Sequence, residues 1–237
     1  MSEKRGFKQN FIRSFIIGAV ISFVACMVIT SMPWGIFGFE FGGGPKPAVS
    51  VEKAARAAAV TETIAIDGKI WMKRNLNVWS NGSWCYENNP DSCDKYGRLY
   101  TWYAAKRTCA GLGNGWRLPT VYDWEALISA AGGASIAAPK LKTQTGWFPD
   151  STVCTDEFGF SALPGGETRY NSRRKTLSLG LYDPIFSDAG VSAGFWSATE
   201  MFWGYADQVP SMYIGPELIG MAKSDKTDGF SVRCVKY

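Results

Sequence analysis

From Ser14 to Met32 nineteen residues pass without a charge, about the length a helix needs to cross a bilayer. Lys4, Arg5, Lys8 and Arg13 precede that run, and by the positive-inside bias they keep the N-terminus cytoplasmic and send the rest across. The pattern predicts a basic tail over 1–13, a transmembrane helix over 14–38, a linker with a short helical stalk over 39–62 and a folded domain over 63–237. Gly42-Gly-Gly-Pro-Lys-Pro47 suits neither a helix nor a central strand and reads as a spacer. The Ala-rich stretch 49–60 after it favours helix.

Within the domain, Thr63-Ile-Ala-Ile66 and Lys69-Ile-Trp-Met72 flank Asp67-Gly68, a dipeptide suited to a tight hairpin turn. Leu99, Trp102, Tyr103, Lys106 and Cys109 fall at helical spacing before Gly111, which predicts a first helix. Thr120 and Asp123 make a capping-box-like start, and Trp124, Leu127 and Ile128 share a face up to Gly132-Gly133, a second helix. Short aromatic and Ser/Gly-rich segments follow, and the alternation in Phe230-Ser-Val-Arg-Cys-Val235 suits a half-buried strand. Hairpin, helix, helix and then short strands make an α+β domain. Trp71, Trp102, Trp116, Trp124 and Trp196 are expected in its core, whereas Trp79, Trp84, Trp147, Phe148, Trp203 and Tyr205 lie in loop-like surroundings.

Charge narrows the function. Of 25 basic and 21 acidic residues, four basic and two acidic ones precede position 46, so the exported part is nearly balanced and lacks the basic footprint of a nucleic-acid binder. The chain contains no histidine, which excludes histidine triads, imidazole metal sites and histidine acid–base chemistry. Carboxylate pairs for glycoside hydrolysis remain conceivable among Asp123, Glu125, Asp156, Glu157, Glu167 and Glu200, since that reaction needs two acids at a suitable separation. Asp150, Asp156 and Glu157 read as solvated loop acids, and neither a metal site nor a cofactor is expected.

Several ordered motifs carry a resemblance: Gly115-Trp-Arg-Leu-Pro-Thr with Trp124-Glu125, Phe158-Gly-Phe-Ser-Ala-Leu-Pro-Gly-Gly166, Gly194-Phe-Trp-Ser-Ala-Thr-Glu200 and Gly229-Phe-Ser-Val-Arg-Cys-Val235. Trp71-Met72 with Asn75-Leu76-Asn77, Ser83-Trp84-Cys85-Tyr86 and the run Cys93 to Trp102 belong to the same set. From about Ile64 to the C-terminus the chain resembles the FISUMP domain family, a major paralogous domain of fibre-degrading bacteria. That resemblance implies a C-type-lectin-like domain of hairpin, two helices and short antiparallel strands, whose first and last strands pair. The Arg-Leu-Pro-Thr…Trp-Glu run and the terminal Gly-Phe strand are also similar to sulfatase-modifying formylglycine-generating enzymes. Their redox centre does not carry over, because no cysteine lies between Cys154 and Cys234. The acidic triplets of calcium-dependent lectins are absent too.

Five cysteines lie in the exported part, and two bridges among five can be drawn in fifteen ways. Cys85 with Cys93 would close a small loop around Asn88-Asn89-Pro90-Asp91. The lectin-like pattern implies the second pairing, Cys109 with Cys234, and leaves Cys154 over, to serve as a buried free thiol or as an intermolecular partner. The expected function is a membrane-anchored, exported binding or adhesion module without catalysis, its ligand a polysaccharide. A structural envelope protein docking another membrane protein is the alternative, and a carboxylate-based glycoside hydrolase the third reading. Contacts are expected on loops carrying Arg169, Tyr170, Arg173 and Arg174 after Leu163-Pro-Gly-Gly166, and Trp203, Tyr205 and Tyr213. The localisation expected is a single-pass bacterial inner-membrane protein with a periplasmic C-terminal domain. Phe23-Val-Ala-Cys26 keeps a lipoprotein acylated at Cys26 as the alternative.

Overall fold

Asp67 and Gly68 both take positive φ, 51° and 70°, which matches the right-handed twist of the strands they join. The computed structural model describes residues 46–59, 61–148, 153–175, 182–201 and 207–237. The predicted segments 1–13 and 14–38, with Cys26, lie outside these. Among the described residues no helix is long and apolar enough to cross a membrane.

Helix α1 (Val49–Ala59) occupies the Ala-rich stretch. Rather than standing clear as a stalk, it is tied to the domain by Arg56, whose Nη1 donates to the carbonyl of Gly111 at 3.1 Å. Strands β1 (Thr63–Ile66) and β2 (Lys69–Met72) pair antiparallel, and β10 (Val235–Lys236) adds to β2 with Val235 opposite Trp71. The last strand therefore joins the sheet of the opening hairpin, but it pairs with β2 and not, as the resemblance implied, with β1, because β2 lies between them.

Successive side chains of a strand point to opposite faces, so the unbroken Ile70-Trp71-Met72 run needs apolar cover on both sides. Trp71 packs with Trp124, Leu127 and Ile128 of α4 (Val121–Ala130). Met72 packs instead with Trp102, Ala105 and Cys109 of α3 (Trp102–Ala110). One helix thus covers each face. The five tryptophans assigned to the core are all buried, none more than 4% exposed.

The disulfides are Cys85–Cys93 and Cys109–Cys234. The first braces β3 (Ser83–Trp84) against a short helix α2 (Pro90–Tyr96) that sequence reading took for a loop. Asn89 caps α2, its side chain accepting from Asp91 N at 3.0 Å, with Pro90 opening the helix where a missing N–H does no harm. The second bridge ties α3 to the residues before β10. Cys154 joins neither, is half-buried and hydrogen-bonds the buried Lys142. Lys142 Nζ also donates to the Gly215 and Pro216 carbonyls and sits 4.3 Å over the Trp147 ring. Trp147, expected in a loop, is buried by that contact and by its Nε1 donating to Thr143 Oγ1 at 3.1 Å.

The second half builds a five-stranded sheet in the order β6 (Tyr182–Ala189), β5 (Gly165–Lys175), β7 (Ala193–Trp196), β8 (Gln208–Ile214), β9 (Ile219–Asp225). Phe195, Met212, Ile214 and Ile219 from this sheet join the Trp71 cluster. A short helix α5 (Ala137–Leu141) packs there as well. The C-terminal motif then threads the whole assembly. Gly229 bridges to Thr168, Phe230 to Tyr100 of β4 (Leu99–Tyr100), Ser231 to Phe195 and Val235 to Arg117.

Candidate functional site

The family-like motifs turn out to build the scaffold. Arg117 grips both carboxylate oxygens of Asp123 at 2.6 and 3.0 Å. Thr120 caps α4 in a complete capping box with the same acid. Burial alone would raise the Asp123 pKa, but hydrogen bonds from Arg117 and Thr120 outweigh it and hold the group at about 2. Asp156 accepts from Ser161 N and Oγ at 2.7 and 2.6 Å. Glu200 meets Lys106 and Lys226, whose ammonium groups lie 4.2 and 4.7 Å over the Trp102 ring. Glu157 meets Lys140 at 3.5 Å. These carboxylates brace loops and helix ends.

Arg233 is the one arginine among the largest fully buried side chains of the described residues. Fully buried, it donates to Asn75 Oδ1 at 2.6 Å and to the carbonyls of Met72, Phe160 and Ser161 at 3.0, 2.6 and 2.8 Å. Burial pushes its pKa down. It fastens the terminal segment to β2 and to the loops carrying Asn75 and Phe160.

A groove on the five-stranded sheet has a different character. Its volume is about 310 Å³, and Glu167 and Arg169 of β5, Gln208 and Tyr213 of β8, and Lys223 and Asp225 of β9 line it, with Asp228 from the following turn. Alternation puts Glu167 and Arg169 on one face of β5. The pairing of Gly194 with Tyr213 puts those two on the same side. Gly194 carries no side chain because the ring of Phe230 fills the space a Cβ would need, and both residues form the floor. Ser211 and Ser224 share a buried hydrogen bond of 2.8 Å at one end.

Charge alternates around the rim. Arg169 Nε meets Glu167 Oε1 at 2.5 Å while its side chain stays 70% exposed. That bond, with Asp228 and Asp188 farther off, raises the guanidinium above its usual pKa. Gln208 Nε2 donates to Asp225 Oδ1 at 2.9 Å, and the Asp225 N–H donates to Asp228 Oδ2 at 3.2 Å. Donors and acceptors thus surround a small apolar floor, the complement of a molecule rich in hydroxyl groups. Among the described residues no cluster of acids and cysteines is disposed to hold a metal ion.

Of the contact residues nominated from sequence, the groove unites Arg169 and Tyr213, and it also holds Glu167, one of the candidate carboxylates. Both lie on strands and not on loops: the basic run is the outer part of β5, paired through Tyr170 with Pro184 and Lys175 with Tyr182 across a register shift. Tyr170, Arg173 and Arg174 are on that same strand, with side chains outside the described part, and Trp203 and Tyr205 lie outside the described residues. Sequence reading missed Gln208, Lys223, Asp225 and Asp228. The available signal was the polar Lys223-Ser-Asp-Lys-Thr-Asp228 run directly before the terminal Gly-Phe motif.

Neither curated proteins nor solved structures yield a match to this chain. The sequence model of the Fibrobacter succinogenes major domain does match, over residues 64–236. That span covers the hairpin, both principal helices, the groove and the terminal strand, and the chain belongs to this family.

Proposed function

We propose that this protein is a membrane-anchored, exported binding module that holds a polysaccharide and performs no catalysis. The observation that carries the reading is the sheet groove, where Arg169, Glu167, Gln208, Asp225 and Asp228 offer alternating donors and acceptors beside Tyr213. Hydroxyl pairs of a sugar take such donor–acceptor sets, and an aromatic ring gives its apolar face a partner. Two disulfides fit a compartment outside the cytoplasm, in line with the uncharged N-terminal run and its basic flank. We assign the domain to the C-type-lectin-like architecture, supported by the pairing of β10 with β2 and by the bridge from α3 to the C-terminal segment. The localisation proposed is the inner membrane with the domain in the periplasm. Acylation at Cys26 is the competing anchor, and a diacylglyceryl group found there by mass spectrometry decides for it.

The test is capture of the full-length protein on immobilised plant polysaccharides, beside a variant carrying Arg169→Ala, Gln208→Ala and Tyr213→Ala. Binding at least tenfold weaker in the variant, with an unchanged melting temperature, supports the groove. Equal binding rejects it. Failure of the wild type to bind any polysaccharide, together with saturable binding to one envelope protein, moves the function to docking.

A further inference from the structure

A cavity of about 590 Å³ opens between α1 and the β3–α2 corner, lined by Ala54 and Ala58 of the helix and by Trp79, Cys85, Cys93 and Arg98 of the domain. It therefore exposes one disulfide to a space the size of a small ligand site. Cys85 is half-buried there, and Cys93 is 5% exposed.

Arg98 lies directly against that bond. The residue is 9% exposed, and its Nη1 stands 3.5 Å from both Cys85 Sγ and Cys93 Sγ. Nε and Nη2 are held by the hydroxyl and carbonyl of Ser83 at 2.9 and 3.0 Å. All four partners are neutral, and among the described residues no carboxylate forms an ion pair with Arg98. A disulfide sulfur is only a weak acceptor, whereas a thiolate beside a guanidinium is strongly stabilised. Burial depresses the Arg98 pKa, as expected of a cation short of counter-charge. Cys109 and Cys234 offer the contrast: both are 0% exposed in the apolar cluster around Trp102.

We propose that Cys85–Cys93 is a thiol–disulfide exchange site for low-molecular-weight thiols, with Arg98 stabilising Cys93 as the leaving thiolate. An incoming thiolate attacks Cys85 Sγ, the more accessible sulfur. The S–S bond breaks, its electron pair goes to Cys93 Sγ beside Arg98, and a mixed disulfide forms on Cys85. A second thiolate attacks the incoming group's sulfur, releasing Cys85 as a thiolate that takes a proton from water. Two thiols are oxidised to one disulfide, and the protein bond is reduced by two electrons. The reverse sequence restores it.

The experiment equilibrates full-length protein in glutathione buffers of graded ratio, traps thiols by alkylation and assigns each cysteine by mass spectrometry. Cys85–Cys93 is expected to open while Cys109–Cys234 stays closed, with glutathione recovered on Cys85. Arg98→Met should require at least a tenfold more reducing buffer to open the bond, about 30 mV, and Arg98→Lys should fall between. Opening of both bridges together, glutathione on Cys93, or an Arg98→Met midpoint equal to wild type overturns the proposal. Should Arg98→Met fail to fold, the opening order and the mixed-disulfide site in the wild type decide it.

Discussion

Replacing Arg233 with Met keeps a long, flexible, largely apolar side chain against the Phe160 ring, over which the guanidinium carbon now lies at 4.7 Å, and removes every donor. Four acceptors lose their partner: Asn75 Oδ1 and the carbonyls of Met72, Phe160 and Ser161. A buried acceptor left without a donor costs about 1–3 kcal/mol, so the three buried ones cost at least ~3 kcal/mol, and the partly buried Ser161 carbonyl adds less. Against this, the variant no longer buries a charge, whose desolvation shows in the lowered pKa of Arg233. Removing one side of a buried charged contact still costs roughly 3–5 kcal/mol in comparable settings, and we expect ~3 kcal/mol here. Urea unfolding of the oxidised protein, followed by tryptophan fluorescence, should show the midpoint falling by ~1.5 M at a slope of about 2 kcal/mol/M. Arg233→Lys should lose less than the Met variant, because one ammonium can reach only some of the four oxygens. A midpoint for Arg233→Met within 0.3 M of wild type would refute the assignment of this arginine as the clasp of the C-terminal segment.

Asp123→Asn should lower stability at neutral pH by about 2 kcal/mol, following the displacement of the carboxylate from 3.8 to about 2. The folded pKa is depressed, so that contribution is present above pH 3.8 and is lost as pH falls through 2; the acid limb of the variant's stability curve should be flatter than wild type. Cys109→Ser with Cys234→Ser should remove about 5 kcal/mol, the chain-entropy value for a loop of 125 residues, read as a drop in melting temperature. Gly194→Ala should destabilise by ~1–3 kcal/mol and alter near-ultraviolet circular dichroism, because the new methyl displaces the Phe230 ring; an unchanged spectrum would contradict that packing.

Local rules carried the first half of the domain well. Asp67-Gly68 marked its turn because only certain residues tolerate positive φ, and Thr120 with Asp123 marked a helix start because the cap lies within four residues. The five core tryptophans followed from spacing within single elements. The groove was far less legible. Its lining comes from β5, β8 and β9, which meet only after Gly166 pairs with Ala193 and Tyr213 with Gly194, and no local pattern encodes such long-range pairing. Arg169 to Lys175 looked like a loop because its charges obscure the alternation of a strand. Trp147 misled for the opposite reason: its surroundings are loop, yet Lys142 and Thr143 provide partners that close it off from water.

The threading of residues Gly229 to Val235 through every sheet has a consequence for how the chain is made. Synthesis releases residues from the N-terminus onward, and domains fold as units. Here β2 lacks its second neighbour, Tyr100 and Thr168 lack their backbone partners, and Arg233 is missing until residues 229–236 have been made. The domain therefore stays open until that segment has been made. Oxidation has the same clock. Cys93 is available to Cys85 after eight more residues, whereas Cys109 must wait for Cys234, 125 residues later. Cys154 emerges in between, so the interval before Cys234 appears is when a mispaired Cys109–Cys154 bridge can form and must be reshuffled.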